Sequence, residues 1–400
     1  MEGIKTKIHV ANIYKSNVLK FLRDYPKYNQ KNYTVLPGFM DVHVHFREPG
    51  FSYKETILTG SEAAAKGGYT LVATMPNLNP VSDTSAHLDE QLRLIKQNAV
   101  IEVVPYGAIS LSEEGKKLAP LKEVSSKVIA FSDDGKGVQS EALMKEAMVL
   151  AKKLNKVIVA HCESNEYSGG YVHDGAYAKK HHHQPNPSIS EYHEVERDLR
   201  LAKLTGCKFH VCHVSTKESV DLIRKAKKEG VDVTCETAPH YLLLNDSMLK
   251  EDGDYKINPP IRSKEDQKAL IKGIQDGTID MIATDHAPHS KEEKSKGLKD
   301  SLFGASGIEI AFPLLYTYLV KKKIITLEKL IELIAINPRK RFNYLDQGDF
   351  SIWDLNKKEK IEPKHFLSKG KNTPFKGYQV YGVNHLTIYQ KKVVYMREKI

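Results

Sequence analysis

Four hundred residues with 40% hydrophobic and 28% charged content fit a soluble globular enzyme, and no run approaches the roughly 20 apolar residues that a bilayer span requires. The net charge of +10 comes from 60 basic and 50 acidic residues spread along the chain. No basic patch interleaved with aromatics marks a nucleic-acid binder, so a lysine-rich solvated surface is expected.

Met1-Glu2-Gly3-Ile4-Lys5 leads into mixed polar sequence without an apolar leader core, and residues 1–36 hold short strand-like pieces such as Lys7-Ile8-His9-Val10-Ala11. Strands are predicted near 37–46, 70–76, 101–108, 127–133, 156–162, 208–214, 231–236 and 280–285, with helical patterns between them. Glu62 to Lys66 precedes a Gly67-Gly68 stop, Glu141 to Leu154 carries apolar residues at helical spacing, and Thr216 to Lys228 opens on Ser215-Thr216 and ends at Gly230. Eight strands alternating with helices predict an α/β fold, a parallel sheet closed into a (β/α)8 barrel over residues 37–344. An open doubly wound sheet lacks support, since no Gly-x-Gly-x-x-Gly follows an early strand. The histidine run at 181–183 reads as a surface loop, and the Lys- and Glu-rich run Ser290 to Asp300 as a mobile loop near the mouth. After about 345 the sequence turns β-like again, at Phe350-Ser351-Ile352-Trp353, Gln379 to Val383 and Leu386 to Tyr395. Residues 1–36 and 345–400 are therefore expected to form a small β subdomain from the two chain ends. The four cysteines, Cys162, Cys207, Cys212 and Cys235, lie in or beside apolar runs without framework spacing, which reads as reduced core thiols of a cytoplasmic protein.

The chemistry lies at the strand ends. His43 and His45 alternate onto one side of a strand, as neutral imidazoles that suit zinc-class cations. Alone they read equally as hydrogen-bonded core histidines. Four more apolar runs each deliver a His or Asp at their ends: 129–134, 157–161, 210–213 and 281–286. Their candidates are Asp134, His161, His213 and Asp285, at the barrel face where active sites sit, and the pattern reads as a metallohydrolase. Asp133 and Asp134 face opposite ways if the strand persists, so only one looks inward. Arg47, two residues past His45, shares that strand face and offers a bidentate fork to a carboxylate.

The run Asp41 to Gly50, with Thr74-Met75-Pro76-Asn77, Phe131 to Gly135, Ala160-His161-Cys162-Glu163, His213-Val214-Ser215-Thr216, Ala283 to His289 and Lys371 to Gly377, closely resembles the dihydroorotases of the amidohydrolase superfamily. The resemblance implies a zinc-dependent enzyme that cyclises N-carbamoyl-L-aspartate to L-dihydroorotate and water, reversibly, in the third step of pyrimidine (UMP) biosynthesis. It implies two Zn2+ per chain. His43, His45 and Asp285 would hold the more buried ion and His161 and His213 the second. Asp134, favoured over Asp133, would span both where many relatives use a carboxylated lysine. A metal-bound hydroxide would attack the ring amide, with Asp285 as general acid and base. Arg47, Asn77 and His289 would contact the substrate carboxylate, and Asn258 and the backbone at Phe303 and Gly304 the ring. For Asn77 and Asn258, turn chemistry beside prolines is the plainer alternative. His286 is expected to point away from the site. Two rival readings are another cyclic amidase (allantoinase or hydantoinase) and a non-catalytic partner of aspartate transcarbamoylase. The resemblance leaves open a homodimer or a complex with aspartate transcarbamoylase.

Overall fold

Runs such as Tyr69-Thr70-Leu71-Val72-Ala73-Thr74 are buried at every position, the mark of a parallel strand covered on both faces. The computed structural model of the chain describes residues 4–10 and 12–397; Met1–Gly3 and Ala11, which entered the expectations above, lie outside them. Phe39–Val44, Tyr69–Thr74 and Glu102–Pro105 form one parallel sheet. Val157–Ala160, Lys208–Val211, Val233–Thr237 and Met281–Ile282 form a second. Single parallel bridges join them, Gly107 to Phe131, Phe131 to Ile158 and Val44 to His286. The eight segments thus make the ring of a (β/α)8 barrel. Its inside is filled by Met40, Val42, Leu71, Ala73, Tyr106, Val159, Met281 and Ala283, and a larger apolar layer packs between ring and helices.

Several local expectations need correction. The fourth segment, expected as a strand over 127–133, makes only bridges at Phe131. The Asp133 carboxylate accepts the N–H groups of Ile109 and Ser110 where a ladder would have continued. The helix expected from Glu62 begins earlier, at Ile57, under a Thr56–Thr59 capping box. Ser290 to Asp300 is no bare loop. It holds the short helices Lys291–Lys294 and Gly297–Asp300. His181 ends the helix Ala176–His181 rather than lying in a loop.

The chain ends build a five-stranded sheet in the order Lys7–Ile8, Tyr33–Pro37, Phe350–Lys360, Gln379–Tyr389, Lys392–Met396. Helix Lys15–Asp24, absent from the sequence reading, covers it with Val18 and Leu22. The β-like run 386–395 is two strands, because Gln390 and Lys391 take φ of 47° and 64° in a two-residue turn. The sheet meets the barrel through Trp353, whose ring lies 4.4 Å from Phe312 and 6.0 Å from Phe39. A side chain at Gly68, where φ is +86°, would place Cβ 2.7 Å from that tryptophan. Among the described residues no helix is long and apolar enough to cross a membrane.

Candidate active site

The ring ends carry the six residues into one buried cluster. His43 Nε2 and His45 Nε2 lie 3.6 and 3.1 Å from Asp285 Oδ1. His161 Nδ1 and His213 Nε2 are 2.9 Å apart, and 3.8 and 3.5 Å from Asp134 Oδ1. Asp134 also reaches the first group, with Oδ1 3.3 Å from His43 Nε2 and Oδ2 3.4 Å from His45 Nε2. Two sets of possible metal ligands result, His43–His45–Asp285 and Asp134–His161–His213, each with its atoms within 4.8 Å of one another. His213 and Asp285 hold φ of 30° and 48°, uncommon for residues with a side chain and often found at functional sites.

Three of these histidines have their far nitrogen fixed by an acceptor. His43 Nδ1 donates to Glu236 at 2.6 Å, His45 Nδ1 to Asn77 Oδ1 at 3.1 Å, and His161 Nε2 to Glu163 at 3.2 Å. In the neutral ring the near nitrogen of each would then be the lone pair facing the cluster, as metal-ligating imidazoles require. Glu236 and Glu163 were missed by the sequence reading. Glu236 ends a predicted strand just as the ligands do, and that was its available signal. Asp41 ties the first strand to the last, accepting from the Thr284 N–H and hydroxyl.

Charge fits a cation. His43 Nε2 and Asp134 Oδ1 are buried and have no hydrogen-bond partner among the described residues. Burial pulls the His161 pKa down, but the Glu163 bond and the Asp134 charge outweigh it and raise it to about 9. The same balance, dominated by Asp134 and Glu236 once burial is overcome, lifts His43 well above the usual imidazole range. Burial pushes the Asp285 carboxyl up, yet the bond to His45 and the charge of His43 hold it well below the ordinary range, so it is ionised. Carboxylates held ionised at Asp134 and Asp285, beside imidazoles of which His43 and His161 are made more basic and His45 less so by burial, suit a divalent metal. Cys212 approaches His43 and Asp134, but burial pushes its thiol pKa up, which keeps it protonated and a poor ligand.

Around the cluster lie the expected substrate contacts. Arg47 is 9% exposed and donates from Nε to the Pro288 carbonyl at 3.4 Å. Among the described residues no carboxylate pairs with it within 4 Å. Asn258 Nδ2 donates to Glu163 at 2.9 Å, and Asn77 Nδ2 to the Asp134 carbonyl at 3.4 Å. Both ring nitrogens of His289 are engaged, Nε2 with the Phe303 carbonyl at 2.7 Å and Nδ1 with Lys54 and Glu293. Gly304 takes φ of +136°, and a Cβ there would meet Ala287 at 2.7 Å, so only glycine brings this backbone against the His289 ring. His286 turns away, bonded to Glu55 and the Gly307 N–H. Arg262 is buried and donates to Asn186 and Ser215.

Residues 33–219 match the family described as dihydro-orotase-like. A dihydroorotase of Fusobacterium nucleatum is 50% identical over 92% of this chain and 88% of its own. One of Bacillus cytotoxicus is 48% identical over 91% and 87%. Among solved structures, an L-hydantoinase from Arthrobacter aurescens superposes with a TM-score of 0.81 at 27% identity, over 92% of this chain and 86% of that one. A D-hydantoinase from a Bacillus species superposes at 0.78 and 23%, over 91% and 86%, a likeness of fold alone.

Proposed function

Because the chain belongs to the dihydroorotase family, we propose that it interconverts N-carbamoyl-L-aspartate and L-dihydroorotate with two zinc ions. His43, His45 and Asp285 would hold one ion, His161 and His213 the other, and Asp134 would border both. When bound, zinc lowers the pKa of a water and polarises the ring amide carbonyl. Asp285 takes the proton from the attacking water and returns it to the departing ring nitrogen. In the biosynthetic direction the same carboxylate takes the proton from the carbamoyl nitrogen as the ring closes and water leaves. Arg47 receives the substrate carboxylate, assisted by Asn77 and by His289 once a ring N–H is released. Asn258 and the backbone at Phe303 and Gly304 hold the ring. A cytoplasmic location is part of this reading, supported by four buried cysteines that are all unpaired.

The observation that carries the reading is Arg47. Asp285, Asp134, Glu293 and Glu55 act on Arg47 only from a distance, and a buried guanidinium that lacks a paired carboxylate is costly; an anionic substrate offsets that cost, whereas an uncharged hydantoin ring does not. The test is kcat/KM for dihydroorotate and for hydantoin, with zinc content, in wild type, Arg47→Lys and Arg47→Ala. Loss of the charged partner is expected to cost about 2–5 kcal/mol of transition-state binding, with zinc unchanged. Lysine keeps the charge but not the planar fork, so rescue is partial. Wild-type kcat/KM in Arg47→Ala, or preference for hydantoin, would remove dihydroorotate as the substrate.

A further inference from the structure

Glu163 stands two residues past His161, and its carboxylate joins three segments that are far apart in sequence. Oε2 accepts from His161 Nε2 at 3.2 Å and from Asn258 Nδ2 at 2.9 Å. Oε1 accepts from Asn186 Nδ2 at 3.0 Å. Asn186 is itself immobilised, its carbonyl taking Arg262 Nη1 at 2.7 Å and its Oδ1 the Ser190 hydroxyl at 2.6 Å. The Glu163 backbone carbonyl accepts from Gln139 Nε2 at 2.9 Å. The carboxylate is thus held from three sides before any ligand arrives.

An ionised carboxylate only accepts. Opposite it, His161 must present N–H at Nε2, which leaves Nδ1 bare toward Asp134 and His213. Opposite it, Asn258 must present its NH2, which turns its carbonyl oxygen away from Glu163. One oxygen atom therefore sets both the tautomer of a metal ligand and the amide orientation of a ring contact. Glu236 fixes His43 in the same way, but its other partners are His210 Nε2 at 3.1 Å and the His213 backbone N–H at 3.4 Å. Neither is a candidate substrate contact.

We propose that Glu163 is a positioning residue that locks His161 and Asn258 into one register, so that the second metal and the substrate ring are gripped as a unit. The proposal rests on the function proposed above. Glutamine at 163 must set its NH2 either against the Asn186 amide or against both His161 and Asn258, and its oxygen carries no charge, so the acceptor that the two share is weakened or lost.

The experiment measures zinc affinity of substrate-free protein by chelator competition, and KM and kcat for dihydroorotate at saturating zinc. Wild type, Glu163→Gln, Asn258→Ala, Glu236→Gln and the two double variants that join Asn258→Ala to Glu163→Gln or to Glu236→Gln are compared, with thermal melts of each. Glu163→Gln is expected to lower affinity at one zinc site about 10- to 100-fold and to raise KM. Asn258→Ala raises KM and leaves zinc affinity as in wild type. In the double variant with Glu163→Gln the KM effects fall short of additive, as for residues in contact, whereas Glu236→Gln and Asn258→Ala combine additively. Glu163→Asp, which keeps the charge but shortens the reach, replaces Gln if that variant does not fold. Unchanged zinc affinity in the Glu163 variant, or additive KM effects with Asn258→Ala, overturns the proposal. Absence of dihydroorotate turnover in the wild type would instead overturn the function, and zinc affinity would then decide the His161 half of the proposal.

Discussion

Asp133 and Asp134 are chain neighbours with opposite tasks. Asp134 faces the histidines, whereas Asp133 accepts from the N–H groups of Ile109 and Ser110 at 2.7 and 3.0 Å and from the Ser110 hydroxyl. Asp133→Ala leaves buried donors unpaired and is expected to cost about 1–3 kcal/mol of stability while keeping zinc. Asp134→Ala should keep the fold but lose binuclear zinc binding and turnover. Urea unfolding together with elemental analysis separates the two, and two zinc ions per chain retained in Asp134→Ala would show that Asp134 does not border both ions. Strand alternation made their opposition legible in the sequence, although the choice between them came from family resemblance. The link of Glu163 to Asn258 and that of Glu236 to His43 were not legible, because the partners lie 95 and 193 positions away.

At the scale of elements, regular periodicity read well and side-chain anchoring did not. The helix Lys217–Lys228 and its Thr216 cap follow from the sequence. The Lys- and Glu-rich run after Ser290 has the composition of a free loop, yet the Lys294 amine is buried and donates to the carbonyls of Lys256, Leu302 and Gly304. That anchor holds the turn bearing Phe303 and Gly304. Burial pushes the Lys294 pKa down from 10.5 to about 8. Between those values the unfolded chain holds a proton the folded chain has released, so this group makes stability rise with pH across that window. Lys294→Met keeps the stem and should flatten the rise. Unfolding free energies at about pH 7.5, 9 and 10.5 check this, and parallel curves for the two proteins would reject it. The missing fourth ladder belongs to the same class, since an apolar run reads as a strand whether or not an aspartate takes over its partners.

Over the whole molecule, the barrel and the chain-end sheet share one aromatic seam at Phe39, Phe312 and Trp353. Trp353 is the single tryptophan of the chain, so its fluorescence reports on that seam alone. If seam and barrel are one cooperative unit, the red shift of Trp353 and the loss of helical circular dichroism should share a midpoint in urea. An earlier fluorescence transition would show that the sheet undocks first. On the proposed function, bound zinc would link the site to global stability in turn. An ion that binds only the folded chain at about 1,000 times its Kd stabilises it by about 4 kcal/mol. Chelation is therefore expected to abolish turnover and lower Tm, and added zinc to restore both. Full turnover with no metal left would end the zinc mechanism.

His45 and Asp285 meet at 3.1 Å although 240 positions separate them. During synthesis at about 5–20 residues per second, the two histidines leave the ribosome roughly 12–50 seconds before the aspartate that completes their group. The first strand closes the ring only when Val44 bridges His286 and Asp41 receives Thr284. Throughout that interval the nascent chain carries the two imidazoles without the carboxylate that stands beside them in the folded chain. The order of translation thus assembles the proposed group of His43, His45 and Asp285 only when the last strand arrives.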